Sequence, residues 1–248
     1  RRNFLKTAGL VSTAMFSGLS AKNNISNKIK TLSPLGELCD FTALPNGFVY
    51  LNSGTEGTMP QCVVSTLQKN LAKWTSDPTY AYELDRDLGK RQEFNRGKVS
   101  EFMGVEKNNI CLTDNTTMGL SMAIMGLNFT HTDKVVTTNQ EHSSVISPLQ
   151  IWQARHGLQV KTQPFPSPEK IKNMNQTELL DTLFPNNSAL RGAKAMCVSH
   201  VYPTTGVRLS LKSLREKADE LNIAYLIVDG AQAFGAIDIN NINERVEN

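Results

Sequence analysis

Five short apolar runs, at residues 109–112, 134–138, 158–162, 193–201 and 224–228, punctuate the chain from residue 109 onward, with helix-period stretches at 117–127, 144–156, 177–184 and 211–221 between them. The runs are rich in Val, Ile, Leu and Cys and do not alternate with polar residues, the pattern of strands covered on both faces. Strand and helix in strict alternation predict an α/β fold, a mainly parallel sheet with helices on both faces. Upstream, Pro60 can open a helix whose Val63, Val64, Leu67, Leu71 and Trp74 share one side, and a longer helix over 82–102 should stop near Gly104. Ligands in such sheets bind at the carboxyl ends of the strands, so the chemistry is to be sought where each run stops.

Composition narrows the function classes. The 248 residues are 40% hydrophobic and 20% charged, enough for one substantial core. A net charge of +3, with basic residues scattered among acids, leaves no electrostatic footprint for nucleic acid. Cys39, Cys62, Cys111 and Cys197 form no closely spaced pair, which excludes a thioredoxin-like motif and a zinc site, and no metal site is expected. Cys111 and Cys197 lie within apolar runs and read as buried small hydrophobes.

The first residues have the layout of an export signal. Arg1-Arg2-Asn3-Phe4-Leu5-Lys6 precedes a weakly apolar stretch to Leu19 that is too short to span a bilayer. Paired arginines followed by Phe-Leu-Lys resemble the twin-arginine signal, an address read by export machinery that moves folded proteins. Residues 1–21 are read as that signal, with cleavage near Ala21, residues 22–47 as a linker, and the product as periplasmic or exported. A basic amphipathic helix is the competing reading.

Three strand ends carry chemistry-bearing residues. The first run leads through Thr113-Asp114-Asn115-Thr116-Thr117 into a helix, where free backbone N–H groups and the positive dipole end would seat a phosphate; simple capping is the alternative. No glycine-rich nucleotide signature accompanies it. The second run is followed by Glu141-His142-Ser143, which puts an imidazole at the same edge, able to stack on a flat ligand or to act as acid or base. The last ends in Asp229-Gly230-Ala231-Gln232. A carboxylate emerging from an apolar strand needs a positive partner, such as a cationic ring nitrogen, or else caps the turn that follows it.

Taken in order, Tyr50-Leu51-Asn52-Ser53-Gly54-Thr55-Glu56-Gly57, the Thr113–Gly119 turn, Glu141-His142-Ser143, Ser199-His200-Val201 with Thr204-Thr205-Gly206, and Asp229-Gly230-Ala231-Gln232 resemble the class V aminotransferase family. This family belongs to the fold-type I enzymes that depend on pyridoxal 5'-phosphate (PLP) and includes cysteine desulfurases, kynureninase and isopenicillin N epimerase. The resemblance implies that Thr117, with the Thr116 backbone, binds the PLP phosphate, that His142 stacks on the ring as the catalytic histidine, that Asp229 keeps the ring nitrogen protonated and that Gln232 bonds the phenolic oxygen. It also implies that Asn52, Ser53 and Gly54 belong to a loop closing over an amino-acid substrate, and that the intact protein is a homodimer. Residues 48–248 would then be the PLP-binding large domain, without the C-terminal small domain.

Two departures qualify the resemblance. Tyr202-Pro203-Thr204 stands where desulfurases carry Asn-Asn-Glu, removing an amide from the ring and pointing to the epimerase-like branch. The Schiff-base lysine expected beyond the Asp-Gly-x-Gln strand is not found among residues 233–248, so this chain is expected to be inactive by itself. The alternatives are a non-catalytic binding remnant of the same fold and, less favoured, a dinucleotide-binding oxidoreductase.

Overall fold

The computed structural model describes residues 49–77 and 79–237. The segments read as an export signal and a linker, and Cys39, lie outside the described residues. The chain divides into two compact units, one of residues 1–48 and 59–67 and the other of residues 49–58 and 68–248. Of the first, residues 59–67 are described. There the Pro60 carbonyl accepts from the N–H groups of Val63 and Val64 at the start of helix α1 (Gln61–Ser76). Of α1 as a whole, no residue is buried.

The larger unit is the expected α/β layer structure. Helix α2 (Tyr80–Met103) ends on Gly104, whose φ of 66° is the left-handed cap that glycine adopts without strain. Then follow α3 (Thr116–Met125), β1 (Lys134–Thr138), α4 (Ser143–His156), β2 (Gln159–Gln163), α5 (Pro168–Ile171), α6 (Gln176–Leu183), β3 (Ala195–Ser199), α7 (Leu211–Glu220) and β4 (Tyr225–Asp229). The four strands form one parallel sheet in the order β2-β1-β3-β4.

Alternate residues of the central strands supply two cores. Val136, Met196 and Val198 face α6 and α7, packing with Leu180, Leu183, Phe184, Leu214 and Leu221. Val135, Ala195 and Cys197 face the other way, toward Leu120 and Ile124 of α3 and Val145 and Leu149 of α4. A buried Leu truncated to Ala in either layer is expected to cost roughly 2–5 kcal/mol. Lys217 on α7 is tied to Asp181 on α6 and to Glu220, which holds two helices of the first layer together.

Three expectations are corrected. The run at 109–112 is no strand: Lys107–Asn109 is a 3₁₀ turn, and the extended Ile110 is not paired into the sheet. Its carbonyl accepts from Arg96 Nε at 2.9 Å instead of from a ladder partner. Cys111 is therefore exposed, whereas Cys197, at the centre of β3, is buried as expected. Burial pushes the Cys197 thiol up to about 12, with the nearby Glu141 charge adding to it, so it is inert. Nor is burial on both faces uniform: β3 is buried throughout, but the outer strands β2 and β4 are only partly covered.

Candidate active site

The carboxyl ends of β1, β3 and β4, the open end of α3 and the loop at 54–55 surround one cleft of about 290 Å³. Its lining includes Gly54, Thr116, Thr117, His142, Asp229 and Gln232. Asn52 and Ser53 are not in the wall. Asn52 instead shapes the loop behind it, its carbonyl accepting from Thr55 N at 3.1 Å and Glu56 N at 3.3 Å, and its Oδ1 from the Thr55 hydroxyl at 2.9 Å.

The turn into α3 is capped by Asn115, whose Oδ1 accepts from Met118 N at 2.9 Å. Gly119 N reaches the Asn115 carbonyl, and the Thr113 hydroxyl donates to that same carbonyl at 3.1 Å. These contacts occupy the later amides of the first turn and leave those of Thr116 and Thr117 at the mouth of the cleft. Capping and an anion seat thus coexist on one turn.

His142 caps α4, with Nδ1 accepting from Ser144 N at 3.2 Å and lying 2.7 Å from Ser144 Oγ. Before it, Glu141 links two strand ends: its Oε1 accepts from Thr138 Oγ1 at 2.8 Å, and its Oε2 accepts from Ser199 Oγ at 2.6 Å. Burial pushes the Glu141 carboxyl above its ordinary range, and the Ser199 and Thr138 donors only partly offset this. Gln140, in the same loop, accepts from the Thr204 hydroxyl at 2.7 Å. The segment that carries His142 is thereby fastened to both β1 and the loop after β3.

Asp229 is the last residue of β4 and is 4% exposed. Its Oδ1 accepts from Ala231 N at 2.9 Å, and Ser144 Oγ lies 3.5 Å from its Oδ2. Both sequence readings of Asp229 therefore meet: it shapes the following turn, and it is a buried carboxylate that no ion pair among the described residues includes. Gln232 Nε2 donates to the Gly54 carbonyl at 2.6 Å, joining the loop at 52–57 to the turn after β4.

Ser144 and Ser199 also line the cleft, and sequence reasoning missed both as site residues. The parallel register that sets Ser199 beside Asp229 becomes legible only once strands are paired. Ser144 was findable, being two residues past the histidine at a helix start. Tyr202 does not face the cleft: it is fully buried, its ring 4.6 Å from that of Phe165. Val201 and Pro203 form that part of the wall, and Gly206, at φ 68°, closes the turn with its N–H on the Tyr202 carbonyl at 2.9 Å. A Ser-His-Asp hydrolase requires the histidine between serine and aspartate; here the serine lies between the other two, so a nucleophilic triad is not assembled.

Known proteins share this fold. A probable cysteine desulfurase of Pyrococcus abyssi is 25% identical over 195 residues, covering 77% of this chain and 46% of the relative. The cysteine desulfurase IscS of Clostridium botulinum is 27% identical over 206 residues, covering 79% and 47%. Among solved structures, the cystine C-S lyase C-DES in complex with cysteine persulfide superposes with a TM-score of 0.70 at 22% identity, covering 82% of this chain and 52% of that one. A C-DES variant with glycine covalently linked to its PLP cofactor gives the same score at 21% identity, covering 82% and 51%. These likenesses show a fold-type I architecture, and the chain spans about half the length of the curated relatives it matches. With the Aminotransferase class-V model matching residues 49–243, the chain belongs to the class V aminotransferase family.

Proposed function

We propose that this chain is the cofactor-binding part of a PLP-dependent enzyme acting on an amino acid. The observation that carries the reading is Asp229, a carboxylate 4% exposed at the end of β4, hydrogen-bonded but without a cation among the described residues. Burying an unpaired charge costs several kcal/mol, and a protonated ring nitrogen offsets that cost. The other residues fit the same group. The Thr116 and Thr117 amides are placed for a phosphate, His142 offers a flat ring on the cleft wall, and Gln232 has a second amide hydrogen for a phenolic oxygen while the first stays on Gly54.

PLP, when bound, supplies an electron sink for chemistry at the α-carbon of an amino acid. The protein's own part is electrostatic and geometric. The α3 terminus binds the dianion, Asp229 holds a proton at the ring nitrogen, and the Gln232–Gly54 contact sets how the loop at 52–57 meets the cofactor. Tyr202-Pro203-Thr204 in place of Asn-Asn-Glu favours the epimerase-like branch, against the desulfurase and C-S lyase chemistry named for the relatives reported above.

Titrating the chain with PLP while following absorbance and intrinsic fluorescence tests the reading. Saturable binding of one PLP per chain, weakened by inorganic phosphate, is the expected result. Absence of saturable binding overturns it.

A further inference from the structure

Ser144 presents two groups to one imidazole nitrogen: its backbone N–H, 3.2 Å from His142 Nδ1, and its hydroxyl, 2.7 Å from the same atom. A backbone N–H can only donate, so a contact with it requires the Nδ1 lone pair. The hydroxyl fits the same arrangement by donating as well. Its oxygen also lies 3.5 Å from Asp229 Oδ2, and Ser144 itself is 4% exposed, which leaves the hydroxyl little freedom to turn elsewhere.

We infer that Ser144 is a positioning residue that locks neutral His142 in the tautomer with its proton on Nε2: its backbone N–H requires Nδ1 to accept, and its single hydroxyl proton goes to Nδ1 at 2.7 Å and not to Asp229 Oδ2, which at 3.5 Å is at the edge of hydrogen-bond reach. The consequence is chemical. Neutral His142 has its one lone pair engaged at Nδ1, so from Nε2 it serves as a hydrogen-bond donor and not as a proton acceptor. Of the two roles open to a histidine at this edge, acid or base, the local geometry selects the donor. A second-sphere contact of this kind fixes a tautomer without touching the ligand. In its bearing on the cofactor the inference rests on the PLP reading; the tautomer itself does not.

Long-range ¹H–¹⁵N correlation of the imidazoles, recorded on the 248-residue chain without PLP at a pH where the histidines are neutral, tests it directly. The expected spectrum gives His142 a pyridine-like Nδ1 and a pyrrole-like Nε2. Ser144→Ala keeps the backbone donor but removes the hydroxyl, and should mix the tautomers; Ser144→Thr should restore the wild-type spectrum. In PLP titrations Ser144→Ala should bind about five- to tenfold more weakly, the loss of one hydrogen bond to an ordered partner, and Ser144→Thr near wild type. A wild-type spectrum with the proton on Nδ1 overturns the inference, as does a Ser144→Ala spectrum unchanged from wild type. If Ser144→Ala does not fold, the wild-type spectrum still decides the tautomer. Wild-type chain that shows the Nε2 tautomer yet binds no PLP defeats the cofactor reading and leaves the tautomer lock standing.

Discussion

The two ends of the same parallel sheet handle buried polarity in opposite ways. At the amino end, the Lys194 ammonium meets the Asp133 carboxylate at 3.0 Å and the Asn128 carbonyl, while Lys134 Nζ caps the carbonyls of Ser188 and Arg191 at 3.1 and 2.8 Å. Each charge there has its opposite or a carbonyl dipole. At the carboxyl end, Glu141 and Asp229 are met by the Thr138 and Ser199 hydroxyls and a backbone N–H, and by no cation among the described residues. The amino end is electrostatically finished, whereas the carboxyl end is arranged to receive positive charge. The general tendency of α/β sheets to place ligands at their carboxyl ends thus has a local electrostatic cause here.

Neutralising Asp229 should disturb this contrast most. Asp229→Asn keeps the acceptor for Ala231 N but removes the charge. Losing one member of a buried charge pair costs about 2–5 kcal/mol. PLP affinity in the titration should therefore fall by two to three orders of magnitude. The same variant should be at least as stable as wild type without PLP, because an unpaired buried carboxylate has been removed. Thermal melts with and without PLP measure both effects. Equal PLP affinity in variant and wild type would break the comparison between the two ends.

Glu141 offers a pH test with a definite sign. Its carboxyl is raised by burial, so between the ordinary carboxyl range and its raised value the native state holds a proton that the unfolded state has released. Stability should fall as pH rises through that window and level off above it. Glu141→Gln should flatten this segment of the pH profile and change stability at neutral pH by no more than about 1 kcal/mol, since the amide can still engage the Thr138 and Ser199 hydroxyls. Urea denaturation at a series of pH values reads the slope directly. A slope in the variant equal to that of wild type would show that Glu141 is not its source.

Much of this contrast was legible in the sequence because it follows from chain order. Uninterrupted Val, Ile and Leu runs located β1, β3 and β4 to within a few residues, and the residue that ends β4 announced itself as an acid in apolar surroundings. The run at 109–112 misled because its composition suits a strand but no neighbouring strand pairs with it; Arg96, far along the helix before it, takes its carbonyl. At position 202 the sequence names the residue but not its direction. A sequence comparison places a side chain along the chain but not on a face, and the Tyr202 ring turns into the core beside Phe165. Ser199 became visible only through its pairing with Glu141 across 58 residues, whereas Ser144 stands two residues past the histidine it contacts.

The smallest expected effect lies at the finished end. Lys194 and Asp133 are about a quarter exposed, at 27% and 23%. Burial pushes the Asp133 carboxyl up, but the Lys194 and Thr130 donors outweigh it and leave it below the ordinary range. Its contribution to stability is therefore present above the ordinary carboxyl range and is lost as pH falls through the lowered value. Lys194→Met keeps the aliphatic stem beside Phe129 while deleting the ammonium, and should cost about 1 kcal/mol or less, shrinking further in high salt. Because this pair sits at the opposite end of the strands from the cleft, PLP affinity should stay within about twofold of wild type, a change well under 1 kcal/mol. Loss of PLP binding in Lys194→Met without loss of folding would mean that the two ends are coupled through β3, and the division of labour along the sheet would have to be abandoned.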